Sequence, residues 1–229
     1  YASWSQYFID GLSSLGAGLC GLELGCGSGA FCRALTRAGY HMEGADLSAA
    51  MLTKADRLAR EEGLRIPFFL ADASALKAPK QYDFILSPND CFNYIPQKKL
   101  PAAFARVAKA LKKGGIFWFD VSSSYKLHHK VADNISADDR EDVTYLSFNS
   151  LAKDRVEMDV TLFVKRKDGA FDRFDEHHTQ YIHEEEDLSA ALSGAGFSLI
   201  RAEGHLGEHK EGSDRLNFLC PKKKAPSAA

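Results

Sequence analysis

The chain has 229 residues, of which 45% are hydrophobic, 26% charged and 11% aromatic, a balance that excludes disorder and collagen-like order. Its 29 basic and 31 acidic residues leave a formal charge of −2, so nothing marks it for a nucleic-acid backbone or an anionic membrane, and a small-molecule partner is expected. In chain order, residues 4–15 carry Trp4, Tyr7, Phe8, Ile9 and Leu12 at helical spacing, and Gly16-Ala17-Gly18 breaks that helix. A short buried strand is predicted over 19–24, then a helix over 30–38 closed by Gly39. A strand over 41–45 follows, then a helix capped by Ser48 that runs to residue 62 and ends at Gly63. Residues 66–70 and 82–86 read as strands, 98–111 as a helix stopped by Gly114-Gly115, and 116–121 as another strand. Strands that alternate with helices predict right-handed crossovers and a mostly parallel sheet covered on both faces.

Beyond Val121 the pattern changes. Val156, Met158, Val160, Leu162 and Val164 alternate with Glu157, Asp159, Thr161, Phe163 and Lys165, which marks a half-exposed antiparallel strand. Asp168-Gly169 is a hairpin signal, 170–182 its return strand and 144–149 a candidate third, so an antiparallel insertion is expected over about 142–183. Glu184-Glu185-Glu186-Asp187 opens a helix with acid at its positive end, Gly194 and Gly196 close it, and 197–203 and 216–220 supply two last strands. The expected fold is α/β: a Rossmann-like, doubly wound, seven-stranded sheet forming one domain over 1–220. A flexible basic tail is expected over 221–229. Five cysteines without a C-x-x-C pair predict reduced thiols and a cytoplasmic setting, and no apolar run approaches a membrane span.

The strongest local signal is Glu23-Leu24-Gly25-Cys26-Gly27-Ser28-Gly29, where the first strand meets its helix. Alternate glycines permit positive φ and leave no Cβ between the backbone and a ligand lying across the turn. With Ala30 the run also satisfies the relaxed dinucleotide fingerprint G-x-G-x-x-A, and a tight turn without a ligand is the plainer alternative. Asp46 ends the next strand, where a carboxylate accepts hydrogen bonds from ribose hydroxyls, and Asp72 follows the third. Asp72 suits a base amino group, and the Ala73 N–H a ring nitrogen.

These residues, with Tyr82-Asp83-Phe84-Ile85-Leu86 and Leu111-Lys112-Lys113-Gly114-Gly115, resemble the ordered motifs of class I S-adenosylmethionine-dependent methyltransferases over about 19–121. Glu23 discriminates most, since an acid two residues before the first glycine typifies that family rather than nicotinamide enzymes. The resemblance implies S-adenosylmethionine as cofactor. Glu23, Gly25, Cys26, Gly27 and Gly29 would lie at its methionyl end, Asp46 at the ribose and Asp72 with Ala73 at the adenine; Leu47 and Ser87 complete the set. Ser87-Pro88-Asn89-Asp90-Cys91-Phe92-Asn93-Tyr94-Ile95 is similar to the D-S-x-N-Y-[IL] run of a bacterial small-protein branch, which also has a phrase like Phe119-Asp120-Val121 and an antiparallel insertion. Cys91 departs from that branch's usual serine or similar small residue. Ser87-Pro88-Asn89-Asp90 also resembles the [DNS]-P-P-[FWY] motif for exocyclic amines of nucleobases but fails at its last two positions.

The implied reaction is in-line methyl transfer to a small molecule, in which the protein orients the acceptor, excludes water and removes a proton. Asp90 is the candidate base or partner of a cationic acceptor, and Asn93 and Tyr94 are the candidate acceptor contacts. The bland alternative has Asn89-Asp90 turning the chain and Tyr94 packing under the cofactor. His178 or Tyr181 could line the acceptor if the insertion folds over the pocket, and Trp4 is a minor candidate. His177 and His178 would face opposite sides of a strand, which is poor chelating geometry, so no metal is expected. Two competitors stand beside this reading: an NAD-dependent oxidoreductase, for which no convincing Tyr-x-x-x-Lys or comparable hydride-transfer constellation is seen, and a non-catalytic binding module. A homodimer is compatible with either.

Overall fold

The structure is a computed structural model that describes residues 1–223. Helix α1 (Ala2–Ser14) precedes the alternation β1 (Cys20–Leu24), α2 (Ala30–Arg37), β2 (His41–Asp46), α3 (Ala49–Glu61), β3 (Phe68–Leu70), β4 (Tyr82–Ser87), α4 (Leu100–Ala110) and β5 (Leu111–Ser122). A short helix α5 (Ser124–Lys126) leads through a wider turn into four strands: β6 (Ile135–Asp139), β7 (Val143–Ala152), β8 (Arg155–Lys165) and β9 (Phe171–Tyr181). Helix α6 (Glu185–Gly194), β10 (Arg201–Glu203) and β11 (Arg215–Pro221) complete the chain. Among the described residues no helix is long and apolar enough to cross a membrane.

Seven strands form one sheet in the order β10-β11-β5-β4-β1-β2-β3, and only β11 runs against its neighbours, as the strand–helix alternation predicts. Strand β5 shows why both faces are covered. Phe117 and Phe119 join Phe92, Phe104, Phe197 and Phe218 on the α4 and α6 side, while Trp118 points the other way to Phe8 of α1. That is a period of two with both sides apolar, and each buried aromatic contributes about 1.5–3 kcal/mol. Helix α1 reaches Trp118 because Gly11 has no side chain: a Cβ there would lie 2.3 Å from the indole.

The chain turns from β1 through β2 to β3 on one side and returns to β4 on the other, so the strand order reverses between β1 and β4. The carboxyl ends of those two strands therefore diverge into a crevice, the usual ligand position of such sheets.

The second sheet differs from the expected hairpin. It is a four-stranded meander, β6-β7-β8-β9, that begins at Ile135. Strand β6 escapes sequence detection because Ile135-Ser136-Ala137-Asp138-Asp139 is an exposed polar edge without alternation. The strand expected over 197–203 shortens to β10, although Ser198 and Ile200 still donate to Pro221 and Leu219. The expected loose tail is corrected at its start: Pro221 closes β11, Lys222 bridges Phe197 and the Lys223 N–H donates to Gly196. The rest of that tail lies outside the described residues.

Candidate functional site

A cleft of about 660 Å³ opens at the reversal point, within the range of small-molecule sites. Its first wall is the glycine loop. Gly25, Gly27 and Gly29 all have positive φ, and Gly25 must lack a Cβ for a second reason, because one would lie 2.7 Å from Cys91 Sγ on the opposite wall. Gly25 faces the cleft, whereas a Cβ on Gly29 would press 3.0 Å from Phe68 beneath it. Asp46, at the end of β2, fastens the loop: Oδ2 accepts the Gly27 N–H at 2.8 Å and Oδ1 the Ser48 N–H at 2.9 Å.

Asp46, Leu47, Asp72 and Ala73 all line the cleft. Leu47 is 72% exposed there, an apolar surface facing the space beside two carboxylates. Asp72 accepts the Ser74 N–H at 2.7 Å and keeps its carboxylate at the rim. A carboxylate for ribose, a carboxylate with a neighbouring N–H for a base edge, and a free apolar side chain form a donor set that fits an adenosine-containing cofactor.

Of the residues expected at the cofactor, Gly27 and Gly29 do not line the cleft, and the side chains of Glu23, Cys26 and Ser87 stand elsewhere. Glu23 is almost wholly buried, and its Oε2 accepts the Cys32 N–H at 2.8 Å. Helix α2 has Gly29 as its N-cap, without a side chain, so the carboxyl group of β1 supplies the missing cap. Burial pushes the Glu23 carboxyl up to about 8. Ser87 is fully buried and donates to Leu24 O at 3.0 Å, joining β4 to β1, and the Cys26 side chain is buried under the loop.

The second wall follows β4 and contains Asn89, Cys91, Tyr94, Ile95, Pro96 and Lys99, with His178 reaching over from β9. Tyr94 is exposed in the cleft, and its ring meets His178 edge-on at 6.1 Å. The His178 Nε2 pairs with Glu176 Oε2 at 2.9 Å. Asn93, expected to touch the acceptor, is corrected to a strap. Its Nδ2 donates to Ser122 O and Tyr181 O, and its Oδ1 accepts the Ser122 N–H, all in buried surroundings. His183 adds a fourth stitch, donating through Nε2 to Phe92 O at 3.1 Å. Tyr181 faces away from Gln180 and lines a separate, more open hollow of about 1090 Å³ between α4 and α6.

Asp90 is also differently employed than expected. Its Oδ2 accepts from Gln180 Nε2 at 2.7 Å, and its Oδ1 lies 3.0 Å from Arg215 Nη2. Arg215 also pairs through Nη1 with Asp120, which is fully buried; burial pushes that carboxyl up to about 6 against the opposing pull of the guanidinium. With both oxygens engaged, Asp90 is a poor general base. Trp4 does not line the cleft but packs its ring 4.9 Å from the Arg215 guanidinium. Arg215 and Gln180 were invisible as site residues, since each sits in an unremarkable polar position of its strand. Only Asp120 lay within a recognised phrase.

A methyltransferase-domain family profile matches residues 22–115. A Geobacillus sp. (strain WCH70) protein assigned as a methyltransferase is 30% identical over 88% of this chain and 83% of its own. YqeM of Bacillus subtilis (strain 168), assigned likewise, is 30% identical over 98% of this chain and 91% of its own. Among solved structures, an S-adenosylmethionine-dependent methyltransferase from Clostridium acetobutylicum ATCC 824 superposes with a TM-score of 0.92 at 28% identity, over 98% of this chain and 92% of that one. CalS10 of Micromonospora echinaspora, an amino pentose methyltransferase solved with S-adenosylmethionine bound, shares the fold with a TM-score of 0.76 at 20% identity, over 96% and 90% of the two chains.

Proposed function

Because the chain belongs to the S-adenosylmethionine-dependent methyltransferases, we propose that it methylates a small molecule held where the β4 wall meets the β9 edge of the antiparallel sheet. The observation that carries this is the make-up of the cleft: Gly25, Asp46, Leu47, Asp72 and Ala73 on one side, Asn89, Cys91, Tyr94 and His178 on the other. Asp46 takes the ribose hydroxyls, Leu47 packs on the base, Asp72 and the Ala73 N–H read its edge, and the loop at Gly25 admits the methionyl end. When bound, S-adenosylmethionine supplies a methyl carbon already activated by its sulfonium.

The protein's share of the work is then placement, dryness and one proton. Tyr94 and the sheet above it exclude water and hold the acceptor in line. With Asp90 tied to Arg215 and Gln180, His178 is the group placed in the cleft to receive a proton from a protic acceptor. The small formal charge supports a small-molecule acceptor over a nucleic acid. The five free cysteines support a cytoplasmic setting. Ile135 and Phe148, exposed and paired across β6 and β7, support a homodimer, which sedimentation equilibrium tests.

Calorimetric titration with S-adenosylmethionine, S-adenosylhomocysteine and NAD(H) tests the reading. Saturable binding of the first two with no response to NAD(H) is expected; binding of NAD(H) alone would overturn it. An acceptor screen then follows transfer of isotopically labelled methyl.

A further inference from the structure

We infer that Arg215 is a positioning residue for the cleft: its guanidinium, shared between Asp120 and Asp90, holds the Asn89–Asp90 backbone in the shape that turns Asn89, Cys91 and Tyr94 toward the ligand. The inference rests on the methyltransferase reading of that cleft.

Asn89 and Asp90 have φ of 66° and 54°, two successive non-glycine residues in the left-handed region. Asn and Asp visit that region more readily than other L-residues, but as single residues, and a pair in succession persists only where the surroundings hold it. Here they do so from three directions. The Asp90 N–H points at Asp120 Oδ1 at 3.4 Å, and the Asp90 carbonyl accepts the Asn93 N–H at 2.9 Å. One carboxylate oxygen meets Arg215 Nη2 at 3.0 Å and the other takes Gln180 Nε2 at 2.7 Å.

The holder is itself rigid. Asp120 sits inside β5, Arg215 starts β11, and these two strands are paired along seven residues each. The Arg215 side chain is 14% exposed, with Trp4 of α1 against its face. Its planar fork serves two carboxylates at once, which a lysine ammonium on a flexible stem reproduces badly. A merely structural ion pair would join framework to framework. This one joins the sheet to the strained start of the loop that lines the cleft.

The test uses the whole chain and S-adenosylhomocysteine as probe, with two readouts: calorimetric affinity and hydrogen exchange at the Asp90 and Asn93 amides. Arg215→Lys keeps the charge and loses the fork, so affinity should fall about tenfold through lost preorganisation, with faster exchange at both amides and an unfolding midpoint near wild type. Arg215→Met alone strands the buried Asp120 and risks misfolding. The double variant Asp120→Asn/Arg215→Met removes that charge, and it should fold and bind as weakly as Arg215→Lys. Folded variants that bind within twofold of wild type, whether or not the amides loosen, would overturn the positioning role. Exchange needs no ligand, so unchanged amides overturn it even where wild type binds nothing; that failure of wild type would separately sink the methyltransferase reading.

Discussion

The two walls of the cleft are held together over very different lengths of chain. On the β1–β2 side, the Gly27 N–H reaches Asp46 nineteen residues away, and Glu23 caps α2 at a separation of nine. On the β4 side, Asp90 and Gln180 are ninety residues apart, and Asn93 spans 29 residues to Ser122 and 88 to Tyr181. The first wall is a local device whose parts fold with one βαβ unit. The second exists only after the insertion and the last strand have docked, so cutting its buried Asn93 strap should spread into the whole fold, whereas damage to the first should stay in the ligand site.

The sharpest break of that contrast is Asp46→Ala. It removes the carboxylate that fastens the glycine loop and would meet the ribose, so affinity for S-adenosylhomocysteine should fall about a hundredfold, as for lost hydrogen bonds to a charged group. The thermal midpoint should move little. Calorimetry beside a melting curve checks both, and a large drop in midpoint with unchanged affinity would reverse the assignment of local and global walls.

Asn93→Ala is the counterpart on the far wall. It leaves the Ser122 N–H and the Ser122 and Tyr181 carbonyls without their side-chain partner, which costs about 2 kcal/mol, or roughly 4–8 °C in midpoint for a chain of this size. A variant that melts with wild type would show that the β9 end is not stitched to the loop after β4.

Glu23→Gln sharpens the comparison through pH. The Glu23 carboxyl titrates near 8 in the folded protein and near 4.5 when freed, so the folded state keeps a proton that the unfolded chain gives up. Its contribution is fully present below about 4.5 and is lost as pH rises through 8. Measured as a difference from Glu23→Gln, the wild-type midpoint should therefore decline between pH 5 and about 8.5. A flat difference would mean that the capping carboxyl is already ionised at neutral pH.

The smallest effect is expected on the outer face of the insertion. His177 lies between Asp159 and Glu157, and its protonation is favoured by the first carboxylate above all. That pair is open to solvent and screened, so His177→Ala should leave both midpoint and affinity unmoved. A marked change in either would show that this face is covered in solution.

Much of this architecture is legible along the chain. The strand–helix alternation, the Ser48 cap, the Asp168-Gly169 hairpin and the glycine loop each depend on residues within a turn or a strand of one another. The same locality explains why Asp46, Leu47, Asp72 and Ala73 were found at the cleft: each ends, or lies within three residues of the end of, a strand whose carboxyl end faces it. Polar side chains on the second wall carried no such signal, because a carboxylate beside a strand end reads the same whether it is free or already paired.

Residue types and their spacing alone determined the doubly wound sheet, the glycine turn and the resemblance to a methyltransferase, since periodicity and turn chemistry are short-range. Tertiary structure decided that Asn93 is a strap and that Arg215 stands against Asp90 and Asp120. Those outcomes depend on strand order and register, which bring β4, β5, β9 and β11 together from distant parts of the chain and settle which polar groups remain free to meet a ligand.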